Sequence, residues 1–149
     1  MSTWSAHVVA RRGEFELDVA LEGDASPLAL VGPNGSGKTT LLRALAGALP
    51  TTRAEVEVAG RVLESTSRGV RVPVERRRVG YVPQGYGLFP HMSALDNVAF
   101  GLSTGARKLP RSERQRRAAE LLEELGCAAL AARCATHLSG GEKQRVALA

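Results

Sequence analysis

The run PLALVGPNGSGKTT, residues 27–40, restricts the fold of this chain more than any other segment. Pro27–Gly32 is a short, continuously apolar stretch of the kind that forms a strand buried on both faces. A glycine-rich loop follows, and then apolar residues at helical spacing over Thr39–Leu49, with Pro50 just beyond. Strand, loop and helix in that order demand an α/β architecture. GPNGSGKT, Gly32 to Thr39, fills the pattern G-x-x-x-x-G-K-[ST] completely. Gly35 and Gly37 let the backbone turn tightly and approach an anion without Cβ clashes. Successive N–H groups then converge on one concavity, and the helix N-terminus adds its positive end. Lys38 reaches the outer phosphates of a nucleoside triphosphate, and the Thr39 hydroxyl suits Mg²⁺. The expected phosphate-contacting stretch is Gly32, Pro33, Asn34, Gly35, Ser36, Gly37, Lys38, Thr39 and Thr40.

The flanking segments extend this reading. FELDVAL, Phe15 to Leu21, alternates at period two and predicts a strand with one buried face. AEVEVAGRVLES, Ala54 to Ser65, predicts a hairpin around Gly60. Val79 to Val82 predicts a further strand, followed by a loop over Gly85–Ser93. Ser93 is a fitting N-cap for a helix beginning in ALDNVAFGL. Arg111–Gly126 is amphipathic, with Ser112 and Gln115 at capping-box spacing. CAALAARCATHL is apolar and helix-prone, and its Cys127 and Cys134 are expected to pack as small apolar residues. Residues from Glu142 onward look like the first turns of another helix.

Composition sets limits on function. The chain has 149 residues, enough for a sizeable core, with 44% hydrophobic and 23% charged residues. No apolar run is long enough to cross a bilayer, and the N-terminus lacks the apolar region of a signal peptide. The formal net charge is +5. Much of it lies in RKLPRSERQRR, Arg107 to Arg117, which reads as the solvated face of a helix. With one Trp, two Tyr and three Phe, and no basic–aromatic interleaving, nucleic-acid binding is not expected.

Two further motifs follow the phosphate loop. YVPQ places Gln84 after the strand at Val79–Val82, and LSGGEKQR, Leu138 to Arg145, sets Ser139, Gly140 and Gly141 at the head of a helix. Phosphate loop, glutamine and L-S-G-G-x-x-Q-R in this order resemble the ATP-binding cassette (ABC) ATPases over about Val8 to Ala149. The resemblance implies a P-loop NTPase core (α/β) with an antiparallel β subdomain and a helical insertion, incomplete at the C-terminus. About 1–87 would form the β-rich ATP-binding core and about 88–137 the helical subdomain. Residues 138–149 would carry the signature.

The resemblance also implies a mechanism. Two ATPase domains, here expected as a homodimer, pack head to tail and hold ATP and Mg²⁺ between the phosphate loop of one and the signature of the other. Lys38 and Gln84 would serve catalysis, Thr39 and Gln84 would hold the metal, and Ser139, Gly140 and Gly141 would meet the γ-phosphate of the partner's ATP. The stretch Gly85–Leu102 would line the groove for a transmembrane permease subunit, with apolar contacts from Leu88, Phe89, Pro90 and Met92. Such a subunit works at the cytoplasmic side of the membrane, in indirect contact with a periplasmic or extracellular substrate-binding protein. RGVRVPVERRRVGY, Arg68 to Tyr81, looks most like importers of molybdate, sulfate and related oxyanions. A soluble ABC ATPase of translation or DNA repair and a non-hydrolysing nucleotide-binding module are the alternatives.

Two departures from the family pattern stand out. The aromatic residue that stacks on adenine has no clear counterpart: Trp4 lies early, Phe15 falls within a strand pattern and is expected to face the core, and Arg11 or Arg12 could stack instead. The Walker B aspartate, the catalytic glutamate and the switch histidine would all lie beyond Ala149. The expectation is a fragment that hydrolyses ATP poorly alone.

Overall fold

The computed structural model describes residues 3–103 and 109–149; Arg107 and Lys108 of the basic segment lie outside the described residues. The chain divides into two units, Met1–Tyr81 and Val82–Ala149.

The first unit is built on an antiparallel sheet of order β2-β1-β3-β4-β5. The strands are β1 (Trp4–Arg12), β2 (Phe15–Gly23), β3 (Arg53–Val58), β4 (Arg61–Ser65) and β5 (Val70–Arg71). β1 pairs with β2 from Trp4↔Gly23 to Arg12↔Phe15, and with β3 from Trp4↔Val58 to Val9↔Arg53. Period-two alternation puts Ala6, Val8 and Ala10 of β1 in the core with Leu17, Ala54, Val56 and Leu63. Leu41 and Ala44 of helix α1 (Lys38–Leu45), with Leu49 beyond it, complete that core. The expected hairpin at Gly60 is present. Ala59 and Gly60 both have positive φ, 50° and 74°, as a two-residue hairpin turn of the right twist requires.

The expected strands at Pro27–Gly32 and Val79–Val82 do not form. A strand exists only where a neighbour completes its hydrogen-bond ladder, and no described residue pairs with either run. Val31 is 93% exposed and Leu28 57%. The predicted helix Thr39–Leu49 stops at Leu45, because Gly47 turns left-handed (φ 80°). A Cβ there would collide with the Arg77 guanidinium, so only glycine fits.

Arg77 belongs to the short helix α2 (Val74–Arg77), and its side chain is fully buried. It pairs with the buried Glu64 and donates through Nε to the Val72 carbonyl (3.0 Å) and through Nη1 to the Leu45 carbonyl (3.0 Å). Thr51 Oγ1 donates to the other Glu64 oxygen at 2.7 Å. A buried charge persists only when so fully partnered. Here it ties the C-terminal end of α1 to β4 and α2.

The second unit is helical. Helix α3 (Ala94–Gly101) is N-capped by Ser93 as expected, with Oγ accepting from the Asp96 N–H at 3.0 Å. Helix α4 (Arg111–Glu124) ends before Gly126, which has φ 66°. Its N-cap is Pro110, not Ser112, so the expected capping box is absent; proline pre-sets the entry and Ser112 lies inside the first turn. The segment after Gly126 is not a continuous helix. It makes two 3₁₀ turns, Ala128–Leu130 and Ala135–His137. Cys127 is buried as expected, but Cys134 is half-buried and donates to the Pro90 carbonyl at 2.9 Å. Helix α5 (Gly140–Leu148) starts earlier than Glu142. Ala94, Val98, Ala118, Leu122, Leu138 and Val146 hold these elements together.

Candidate functional site

The phosphate loop lies in the first unit, between the unpaired run at 27–32 and α1. Gly37 is the N-cap of α1 at φ 91° and Gly35 has φ 82°, both in the left-handed region that favours glycine. Lys38 folds back over the loop. Its Nζ donates to the carbonyls of Gly32 (2.8 Å) and Pro33 (2.7 Å), with Ser36 Oγ at 3.3 Å. The ammonium thus stands within the loop, and an incoming phosphate competes with neutral carbonyls for it. Anionic oxygens make the stronger partner. Thr39 is exposed and Thr40 half-buried in the first turn of α1, where no acidic residue opposes an anion.

Phe15 does not face the core. It opens β2 with 36% exposure. A Cβ on Gly37 would lie 2.8 Å from Phe15 Cζ and 2.9 Å from Leu17 Cδ1. The ring therefore lies against the N-cap of α1, beside the phosphate loop. Trp4 sits at the other end of the β1–β2 ladder, where its ring covers Gly23 and its Nε1 donates to the Asp24 carbonyl at 3.1 Å. Arg11 is drawn to Glu16 at 3.1 Å. Of the four residues weighed for stacking, only Phe15 is shown touching the loop's glycine. The signal was present in the sequence: a strand residue just after the Gly13 turn belongs to the strand's end, where alternation does not enforce burial.

Gln84 and the signature lie in the second unit. Gln84 is exposed on a turn closed by the Tyr86 N–H to Pro83 carbonyl bond at 2.8 Å. Ser139 is the N-cap of α5 and forms a reciprocal capping box with Glu142. Glu142 Oε2 accepts the Ser139 N–H at 2.7 Å, and Ser139 Oγ accepts the Glu142 N–H at 3.4 Å. That bond, followed by the Ser139 side-chain bond, holds the Glu142 carboxyl below its usual range. The expectation that all three backbone N–H groups meet a phosphate is thereby narrowed. The Ser139 N–H is taken by Glu142, while Gly140 and Gly141, both exposed, have first-turn N–H groups without intrahelical acceptors. The Ser139 hydroxyl accepts the Glu142 N–H, and its own side-chain bond is made to the Glu142 carboxylate.

The loop after Gln84 is organised by Asn97, a residue that sequence reasoning passed over. Its side chain lies on α3 and is buried. Its Oδ1 accepts the Phe89 N–H at 2.7 Å, and its Nδ2 faces the carbonyls of Ser93 (2.9 Å) and Phe89 (3.2 Å). Phe89 is thereby presented at the surface, edge-on to Phe100 with ring centroids 4.6 Å apart. Pro90 is exposed, and Leu88 and Met92 are half-buried. Leu88 packs on the helical core.

Comparison with known proteins places these features in context. The ABC transporter family profile matches residues 23–149. The molybdate/tungstate import ATP-binding protein of Archaeoglobus fulgidus is 44% identical over 139 residues, covering 93% of this chain and 54% of that protein. The sulfate/thiosulfate import ATP-binding protein of Thermosynechococcus vestitus is 43% identical over 136 residues, covering 91% and 35%. Among solved structures, the ADP conformation of an ATP-binding cassette of an ABC transporter superposes with a TM-score of 0.72 at 26% identity, covering 99% of this chain and 63% of that one. The chain spans about half or less of the length of these curated relatives.

Proposed function

We propose, for a chain that belongs to the ABC transporter family, that it supplies the ATP-binding half-sites of an import ATPase. The observation that carries this reading is the phosphate loop. Left-handed Gly35 and Gly37, a helix N-terminus and the Lys38 ammonium converge on one anion-binding concavity. Lys38 holds the outer phosphates, and Phe15 gives the base its stacking surface at the edge of the loop. Mg²⁺ keeps most of its water and phosphate ligands and asks the protein for only one or two oxygens; the Thr39 hydroxyl, exposed in the first turn of α1, is a donor of that kind, and Gln84 is the proposed second. Among the described residues no cluster of His, Cys, Asp or Glu offers a rival metal site.

Ser139, Gly140 and Gly141 bind the γ-phosphate of a second copy's ATP, so the complete site forms in a head-to-tail homodimer. The loop displayed by Asn97, with Phe89, Pro90 and Met92, docks a membrane permease. Among the described residues no helix is long and apolar enough to cross a membrane, which agrees with a peripheral subunit held at the cytoplasmic face by that contact. The two curated relatives are named for import of molybdate/tungstate and sulfate/thiosulfate. The proposed cargo is such a tetrahedral oxyanion, chosen by the permease and binding protein.

The test is nucleotide binding followed by complementation. A fluorescent ATP analogue with Mg²⁺ should bind the chain and lose at least tenfold in affinity in Lys38→Ala, which removes a charge-assisted contact of about 1.5–3 kcal/mol. Mixing Lys38→Ala with Ser139→Ala chains leaves one intact composite site per dimer. ATP-dependent dimerisation should therefore be partly restored. Equal binding by wild type and Lys38→Ala would sink the proposal.

A further inference from the structure

The two helices proposed to meet phosphate differ in one charge. The first turn of α1 holds no acidic residue, whereas that of α5 holds Glu142. A carboxylate there neutralises the positive helix end that an incoming anion would use. It also takes donors. Glu142 Oε2 accepts the Ser139 N–H at 2.7 Å, and the Ser139 hydroxyl bonds the same carboxylate. An ionised carboxyl is an acceptor only, so both Ser139 donors are closed to a second anion while it stays in place. Gly140 and Gly141, exposed beside it, keep first-turn N–H groups without intrahelical acceptors.

The other oxygen of Glu142 faces a cation. Arg133 Nη1 lies 3.6 Å from Oε1, beyond the range of a direct hydrogen bond. The Arg133 backbone is anchored, because its carbonyl accepts the Ala94 N–H at 2.9 Å. Its side chain is 55% exposed and has room to close that gap. Arg145 is engaged elsewhere, donating through Nε to Cys127 Sγ at 3.4 Å. The Glu142 carboxylate therefore stands between two partners, the Ser139 donors and the Arg133 guanidinium.

We propose that the Glu142 carboxylate is an internal stand-in for the γ-phosphate, which holds the Ser139 donors in the free subunit and gives them up to the partner's ATP by closing onto Arg133. This regulation presupposes the half-site role given above to Ser139, Gly140 and Gly141. A γ-phosphate carries more charge than a carboxylate and also reaches Gly140 and Gly141, so it wins the exchange once ATP is bound. Displacing one anion by another still costs part of the binding, and the dimer is weaker than an uncharged residue at 142 would make it.

The experiment measures MgATP-dependent dimerisation of the full chain by analytical ultracentrifugation, with thermal unfolding alongside. Glu142→Gln keeps the capping box, since glutamine serves that position as glutamate does, and removes the competing charge. It should dimerise about tenfold more tightly, the usual worth of one hydrogen bond to a charged group, while its Tm stays level or falls. A cap with a structural role alone gives the other sign, with dimerisation unchanged or weakened along with stability. Equal or weaker dimerisation of E142Q, beside a wild-type chain that does dimerise, overturns the proposal and leaves the half-site role standing. No ATP-dependent dimer of either chain overturns both. Arg133→Gln should weaken dimerisation in the wild-type background and change nothing in E142Q, as a residue acting through the carboxylate must. An equal loss in both backgrounds overturns the part assigned to Arg133.

Discussion

At the level of single residues, Ser139 is the most instructive position. Its hydroxyl serves two purposes, accepting the Glu142 N–H and helping to hold the Glu142 carboxylate charged. Glu142 fixes that arrangement by occupying the Ser139 N–H. Its carboxyl lies below the ordinary value of about 4.3 because the charged form is bonded. A depressed carboxyl favours the folded state above its unfolded pKa, and the benefit disappears as pH falls through the lowered folded value. Acidification through that lowered value should therefore release the Ser139 amide, seen as an upfield shift and faster exchange, before the core of the second unit melts. Glu142→Gln should abolish that pH response while keeping much of the cap. Ser139→Ala should cost helix α5 about 1 kcal/mol, measured by denaturant unfolding. The S-x-x-E pattern at 139–142 was open to view in the sequence. Ser112 and Gln115 showed a similar spacing but make no cap, because Pro110 already starts that helix. Spacing alone could not tell the two apart; the residue preceding the helix decided.

At the level of elements, one buried polar side chain in each unit holds neighbouring segments in place. Asn97 satisfies the backbone of the loop that presents Phe89, so its removal leaves buried N–H and C=O groups unpaired. Asn97→Ala should destabilise the protein by about 1–3 kcal/mol and broaden the amide resonances of residues 89–93. Asn97→Asp keeps the acceptor for the Phe89 N–H but sets its second oxygen against the Phe89 and Ser93 carbonyls, and should cost at least as much. In the first unit, Arg77 is held by Glu64 and by carbonyls at the end of α1. Arg77→Met strands the Glu64 charge and should cost about 3–5 kcal/mol in thermal or denaturant unfolding. The paired change Arg77→Met with Glu64→Leu should recover part of that loss, because the stranded charge goes with its partner. Neither side chain carried a sequence signal, since burial of Asn97 and Arg77 depends on contacts made across the fold. The hairpin at Ala59-Gly60 and the Ser93 cap were legible because their causes are local. The short helix end at Gly47 was not, because its cause is a guanidinium from far along the chain.

At the scale of the whole molecule, the apolar runs at 27–32 and 79–82 read as strands in the sequence, and neither forms one. Period and composition show what a segment can do, but a ladder needs a neighbour, and no described residue is one. The exposure of Val31 and Leu28 beside a well-formed phosphate loop places that loop on an unpaired stem. Phosphoryl transfer relies on positioning groups around the phosphates rather than on covalent chemistry by the protein. A stem free to fray positions them poorly. We therefore predict that this 149-residue chain binds nucleotide through its loop but turns ATP over very slowly, and that amides 28–31 exchange within the fast regime of unpaired backbone. Fusing the chain to the C-terminal remainder of the Archaeoglobus fulgidus relative should protect those amides and raise ATPase activity by at least a hundredfold, since each 1.4 kcal/mol of regained positioning is worth about tenfold. Phosphate release and hydrogen exchange on the two proteins measure both effects. Fast turnover by the 149-residue chain, or protection of residues 28–31 without the fusion, would refute the prediction.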